Sequence, residues 1–217
     1  MMKKNITIIF LLSAVHLFAD NPKISDNNRF PFNYGRMEDT VYTNPFFGFK
    51  LAIPSTWIVQ NKTQIDYVLS KSKDVLDFDN ELMNKAVEKL DVNSMTLLMV
   101  YKYEIGAPVK YNPSIIILAE SMLMQPGIKT GDDYLYHVSS GLKQSNLNYE
   151  CNPSENKFTY DDFTFSVLDC SIIQTIVYQK YYSSVIKRYA FSFIITFSDD
   201  EERDELINII NTAEFVK

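Results

Sequence analysis

Between Phe47 and Ile53 the chain alternates. Phe47, Phe49, Leu51 and Ile53 share one face, and Gly48, Lys50 and Ala52 fall on the other. That period predicts a strand with one buried face. Pro54 stops it, the stretch Pro-Ser-Thr-Trp turns the chain, and Trp57 is expected to close the edge of the core. From Lys62 to Leu90 the pattern changes to helical spacing. Ile65, Val68 and Leu69 form one stripe, and Leu82, Met83, Ala86, Val87 and Leu90 form a second behind Asp79-Asn80 as a cap. Residues 95–104 read as a strand broken by Gly106-Ala107-Pro108. Ser114 to Glu120 is almost continuously apolar, which suits a central strand covered on both faces.

The second half opens on a helix and continues in strands, with no internal repeat of the first. Thr130 and Asp133 form a capping pair ahead of the stripe Tyr134, Leu135, Val138 and Leu142. A short strand is expected near Tyr149, followed by strands at Phe158–Tyr160 and Phe163–Leu168 around an Asp161-Asp162 turn. Tyr189, Phe191, Phe193, Ile195 and Phe197 alternate with Ala190, Ser192, Ile194 and Thr196, the clearest strand in the chain. Ser198 and Glu201 fit a capping box for a helix with apolar positions Leu206, Ile207, Ile209 and Ile210. The final Ala-Glu-Phe-Val-Lys reads as a last short strand or tail. Helices do not alternate singly with strands, so the fold class expected is α+β, with an antiparallel β-sheet flanked by helices.

The start of the chain carries a different signal. Met1-Met2-Lys3-Lys4 precedes an apolar run from Ile6 to Ala19, 14 residues long. This is the pattern of a secretory signal peptide, cut after Ala19, and it is short of the ~20 residues a membrane-spanning helix needs. An uncleaved N-terminal anchor is the alternative. Residues 20–40 are polar and without period, a flexible lead-in, and residues 41–217 are expected to form a single domain. The location implied is periplasmic or secreted.

Charge narrows the partners. The chain carries a net charge of −6, and losing Lys3 and Lys4 with the leader makes it −8. An acidic surface argues against nucleic acid and against anionic membrane surfaces. Lys187-Arg188 is only a pair. Two cysteines, Cys151 and Cys170, allow one intrachain connectivity; a disulfide is expected, with two buried free thiols as the alternative.

Catalytic chemistry finds little support. His16 lies in the leader, leaving His137 as the one histidine beyond it. A two-histidine zinc site within that chain, H-E-x-x-H and G-x-S-x-G are therefore missing from the sequence. The paired acids at Asp132-Asp133 and Asp199–Glu202 suit helix starts. No metal site and no cofactor is expected. Tyrosines cluster at Tyr178, Tyr181, Tyr182 and Tyr189, with Tyr101, Tyr103 and Tyr111 elsewhere. Tyrosine favours interfaces, so Tyr178, Tyr181 and Tyr182 are the expected contact residues; sheet faces rich in aromatics are the bland alternative. Asn61-Lys62-Thr63 is a glycosylation sequon, meaningful only in a eukaryotic secretory pathway.

Three stretches together resemble the PsbP-like superfamily. The first is the opening with Phe47, Phe49, Leu51, Ile53, Pro54 and Trp57. The second is the turn and aromatic strand in FTYDDFTFSVLDC. The third is the strand Tyr189–Phe197 with the acidic-started helix and short strand in SDDEERDELINIINTAEF. The resemblance implies an α/β/α sandwich built on a single antiparallel sheet and used for binding and assembly. That superfamily includes photosystem II extrinsic subunits, Ran-binding relatives and DcrB-like bacterial envelope lipoproteins. No motif for a photosystem or Ran role stands in this sequence, and the lipoprotein cysteine is missing. The function expected is a non-enzymatic, exported binding or assembly protein of the bacterial cell envelope. Its partner is an unidentified envelope protein, and its oligomeric state is open. A small-molecule or ion carrier with a cavity between the sheet and the helix at 130–146 is the alternative, and a hydrolase using His137 comes third.

Overall fold

The alternation at Tyr189–Phe197 places that strand between two covered faces. The computed structural model describes residues 34–75, 94–145 and 147–215. The leader, the helical stripe from Leu82 to Leu90 and most of the expected lead-in lie outside them. The strands are β1 (Arg36–Glu38), β2 (Val41–Asn44), β3 (Phe49–Ala52), β4 (Ile58–Val59), β5 (Ser94–Tyr101), β6 (Ser114–Ser121), β7 (Tyr149–Pro153), β8 (Phe158–Tyr160), β9 (Phe163–Ile172), β10 (Tyr178–Ile186), β11 (Tyr189–Phe197) and β12 (Glu214–Phe215). The helices are α1 (Lys62–Val75), α2 (Gly131–Gln144) and α3 (Asp200–Ile210).

These strands make two antiparallel sheets rather than the single one expected. The small sheet runs β1-β2-β3-β12, and the large one β4-β5-β6-β11-β10-β9-β7, with β8 also paired to β9. One face of the large sheet is covered by α1 and α2. The other is covered by the small sheet together with α3. Helices therefore flank the large sheet, but much of one flank is itself sheet. The strand at Arg36–Glu38 falls inside the stretch expected as a lead-in, because three residues with an exposed, half-buried, exposed pattern carry too little periodicity to register.

The aromatic side chains explain how the small sheet is held. Phe49 of β3 sits 5.2 Å from Phe191, 5.6 Å from Phe193 and 5.0 Å from Phe215, ring centre to ring centre. Phe47 lies 4.9 Å from Phe191. Each fully buried phenylalanine contributes about 1.5–3 kcal/mol through burial, and tilted or edge-on pairs about 0.5–1.5 kcal/mol more. Phe47, Phe49, Leu51 and Ile53 are all buried, as their alternation predicts, while Lys50 and Ala52 are exposed. Trp57 is buried too, and its indole Nε1 donates to Glu205 Oε1 of α3 at 3.2 Å.

Local signals set the helix starts. Asn61 and Gln64 cap α1 reciprocally: Asn61 Oδ1 accepts from the Gln64 amide at 3.0 Å and Gln64 Oε1 from the Asn61 amide at 2.8 Å. The sequon asparagine is thus also a helix cap. Thr130 and Asp133 form the expected capping box of α2. The start of α3 is one residue later than expected. Asp199, in extended conformation, is the cap, and its Oδ1 accepts from the Glu202 amide at 2.9 Å. Glu202 Oε2 reaches back to the Ser198 amide at 2.7 Å and hydroxyl at 2.8 Å. A carboxylate accepts the helix amide in place of the serine hydroxyl, so the box that Ser198 and Glu201 suggested moves by one residue.

Contact between α2 and the sheet is close. A Cβ at Gly131 would stand 1.9 Å from the Ser183 carbonyl oxygen, so only glycine lets the helix begin against β10. Truncating Phe49 should open a cavity between the sheets. F49A is expected to lower stability by about 3–5 kcal/mol, measured by denaturant unfolding with the slope unchanged.

Candidate interaction surface

The cysteines come first, because they fix one wall of the region. The register of β7 on β9 sets Cys151 directly opposite Cys170. Their Cα atoms are 4.1 Å apart and the two are joined by a disulfide. Both are buried. The bridge ties the edge strand β7 to β9, and neither sulfur is a free nucleophile.

The tyrosines separate. Tyr178, at the start of β10, is 45% exposed and stacks on Phe197 at 5.9 Å with an 18° interplanar angle. Tyr181 and Tyr182 are only 2% and 3% exposed, so they do not form a contact surface. They are consecutive in a strand covered on both faces, so one points to each core. Tyr181 turns to the helix side, where its hydroxyl donates to Gln179 Oε1 at 2.9 Å. Tyr182 turns to the other side and packs edge-on against Phe158 at 5.5 Å. The bland alternative, an aromatic-rich sheet, describes these two.

Other exposed apolar groups join Tyr178 at its end of the sheet. The pairing runs Tyr178 to Phe197, Thr196 to Ser114, and Ser114 to Tyr101. The loop 102–113 between β5 and β6 therefore leaves from the same end. Asn112 fixes it, accepting from the Tyr103 amide at 3.0 Å and donating to the Tyr103 carbonyl at 2.8 Å. In this loop Tyr103 is 40% and Ile105 38% exposed, and Ile173 in the β9–β10 turn is 50% exposed. Hydrophobic period does not mark Ile105 or Ile173, because loop residues have none.

Beside Tyr178 lies an open groove of about 820 Å³, lined among others by Asp169, Lys180, Phe197, Asp199 and Arg203. Lys180 pairs with Asp169 across adjacent strands. Arg203 reaches Asp200 at 2.6 Å and Asp204 at 2.8 Å. The groove thus sets an aromatic stack next to paired charges of both signs.

His137 stands elsewhere, half-buried on α2. It lines a recess of about 480 Å³ with Gln125, Gly127, Ile128, Asp132, Asp133 and Tyr136, none of which bears a hydroxymethyl or thiol nucleophile. Asp133 is occupied by capping, and the Lys129 and Thr130 groups that bond it hold its carboxyl below the usual range. Asp132 is held low chiefly by its bond with Lys157. Among the described residues no three histidine, cysteine or acidic side chains come together as a metal site. The α2 face towards the sheet carries Tyr134, Leu135, Val138 and Leu142, all buried. With Gly131 pressed on β10, that packing runs against a ligand chamber beneath α2.

Under α1 and α2 the core is partly polar. Tyr149 and Tyr181 both donate to Gln179 Oε1 at 2.9 Å, and Gln179 Nε2 donates to Thr196 Oγ1 at 3.3 Å. Tyr134 donates to the buried Glu120 at 3.0 Å. Burial pushes the phenols of Tyr101, Tyr111, Tyr134, Tyr149 and Tyr181 up, and that of Tyr42, on the opposite face, to about 12.

Comparison with known proteins adds likenesses of shape. No family model matches the sequence, and no curated protein matches it. The chain is similar to the solution structure of cyanobacterial PsbP (CyanoP) from Synechocystis sp. PCC 6803. That likeness has a TM-score of 0.49 and 8% identity over 83% of this chain and 95% of that one. It is also similar to LpqN, involved in cell envelope biogenesis of Mycobacterium tuberculosis, with a TM-score of 0.39 and 15% identity over 78% of this chain and 83% of that one. At these scores neither likeness assigns a partner, a ligand or an activity.

Two measurements follow from this geometry. Replacing both cysteines with serine removes a link across a sequence separation of 19. Loop closure alone predicts a loss of about 3 kcal/mol, read as a lower denaturation midpoint that added reductant does not lower further. The buried phenols set an alkaline limit. Their folded-state pKa values are raised, so the stability they contribute is complete below pH ~10, the unfolded tyrosine value, and falls as pH rises through the folded values. Phenolate absorbance should therefore rise in two phases, the later one coinciding with loss of circular dichroism.

Proposed function

We propose that this protein is an exported, non-catalytic binding or assembly factor of the bacterial cell envelope. On this reading it meets a protein partner through the end of the large sheet that carries Tyr178. The observation that carries the proposal is the set of exposed apolar side chains at that end, Tyr103, Ile105, Ile173 and Tyr178, of which Tyr178 lines the charged groove. Clustered apolar exposure with a polar rim is what distinguishes contact sites from scattered surface residues. Export is supported by the leader pattern and by the disulfide, since such bridges persist in oxidising compartments. Among the described residues no helix is long and apolar enough to cross a membrane.

The test is crosslinking of the tagged protein in its native envelope, with partners identified by mass spectrometry. A single enriched partner is expected with the wild type. Y178S combined with I173S should lose it by tenfold or more, since each hot-spot side chain contributes about 1–2 kcal/mol or more to binding. Y136S, at a distant exposed tyrosine, should retain it. Equal recovery with all three proteins would refute the assignment of this surface.

A further inference from the structure

The opposite end of the large sheet has a different chemistry. Ile186 pairs with Tyr189, so Lys187 and Arg188 alone make the β10–β11 turn. Both have left-handed backbones, with φ of +51° and +66°. A two-residue turn of this hand favours Asn-Gly, because side chains with a full Cβ are disfavoured at positive φ. Here the two positions hold exposed cations: the Lys187 ammonium donates to the Phe46 carbonyl and lies 5.4 Å from the Phe46 ring centre, while Arg188 points to solvent. The neighbouring loop is tied to this turn: the Met122 amide donates to the Arg188 carbonyl at 2.9 Å, and Ser121 pairs with Tyr189. That loop exposes Leu123 to 53% and Met124 to 37%, and it continues to the exposed Lys129. Tyr136, 73% exposed, lines the recess shared with Gln125 and Ile128 of the same loop.

We propose that this end of the molecule docks on an anionic lipid surface, with Leu123 and Met124 entering the headgroup layer and Lys129 and Arg188 meeting the phosphates. Exposed aliphatic side chains at a loop tip need no complementary pocket in a bilayer. Basic side chains around them add attraction to anionic headgroups, and a tyrosine at the rim suits the boundary between apolar and wet layers. The net charge of −6, which taken over the whole surface argues against anionic membranes, is unevenly placed and does not oppose contact at this end. Charges beyond about 10 Å are screened, and the acidic start of α3 follows Phe197, at the far end of the sheet. Nearby, Asp132 is neutralised by Lys157, and Asp133 is turned to backbone amides. The Phe46 contact accounts for Lys187, and at Arg188 a cation sits where the backbone prefers glycine.

That mismatch also supplies the test, because the variant that removes the charge improves the turn. The purified full chain is sedimented with vesicles of phosphatidylcholine alone and of phosphatidylcholine mixed with phosphatidylglycerol. The wild type is expected to bind the mixed vesicles, less so as salt is raised, and to leave the neutral ones in solution. R188G, which leaves Lys187 on Phe46, should keep or raise the thermal midpoint and bind about fivefold more weakly, and K129S/R188G about 25-fold more weakly, at about fivefold per basic side chain. L123S/M124S should weaken binding to the same vesicles without altering the fold by circular dichroism. Wild-type indifference to the anionic lipid, or K129S/R188G binding as well as wild type, would overturn the proposal. So would tight capture by an acidic protein with no vesicle binding. Because Tyr178 lies at the other end, loss of its protein partner in Y178S/I173S leaves this outcome unaffected, and the two readings fail separately.

Discussion

Phe49 packed into Phe191, Phe193 and Phe215 is the contact on which the rest of the architecture depends. It joins the first hairpin of the small sheet to the middle of the large one and to the last strand. These segments are far apart in sequence, so their closure entropy is met only when the rings are buried together. The small sheet has four strands of only two to four residues, too short to bury a core of their own. Its stability is therefore the stability of this aromatic layer. With that layer in place, β10 and β11 lose solvent on their second face, and the side chains along their centres must be satisfied internally.

Double burial explains the polar network on the helix side. Ser183 and Ser192 share a hydrogen bond of 2.7 Å, and Gln179 gathers Tyr149, Tyr181 and Thr196. Hydroxyls in such strands are tolerated because they find one another; an unpaired one would cost about 1–3 kcal/mol. A large share of the tyrosines is spent in this way. Tyrosine abundance in the sequence is thus mainly a property of the core, and exposure at Tyr178 is an exception created by the strand end.

What could be read from the sequence was whatever depends on neighbours along the chain. The alternation at Phe47–Ile53, the capping pair Thr130–Asp133 and the short closing strand at Glu214–Phe215 are local patterns with local causes. Cys151 and Cys170 had a single intrachain pairing open to them, and strand register put them opposite each other. The misses are long-range. Nothing near Tyr181 or Tyr182 says that β10 is covered on both faces, because the cover comes from α2 and from packing far along the chain. The division into two sheets is decided by pairing of β3 with β12, more than 150 residues away in sequence. At α3 the competition between Ser198 and Asp199 for the cap is too close for residue preference to settle. Lys187-Arg188 read as an ordinary charged pair, since its left-handed turn is visible only once the register of β10 and β11 is known.

The doubly covered strand pair has one more consequence. β10 spans nine residues, from Tyr178 to Ile186, which at ~3.4 Å per residue is about 30 Å. Its first residue belongs to the aromatic, mixed-charge end and its last leads into the basic turn. Both ends are thus carried by one strand whose centre is fixed by hydrogen bonds on each side and by cores above and below. Loops at opposite ends of such a strand cannot approach each other without breaking the aromatic layer that Phe49 seals. A protein partner held at one end and a lipid surface met at the other would be kept apart by the length of the sheet. The fold would then act as a spacer of set length, with chemistry confined to its two ends.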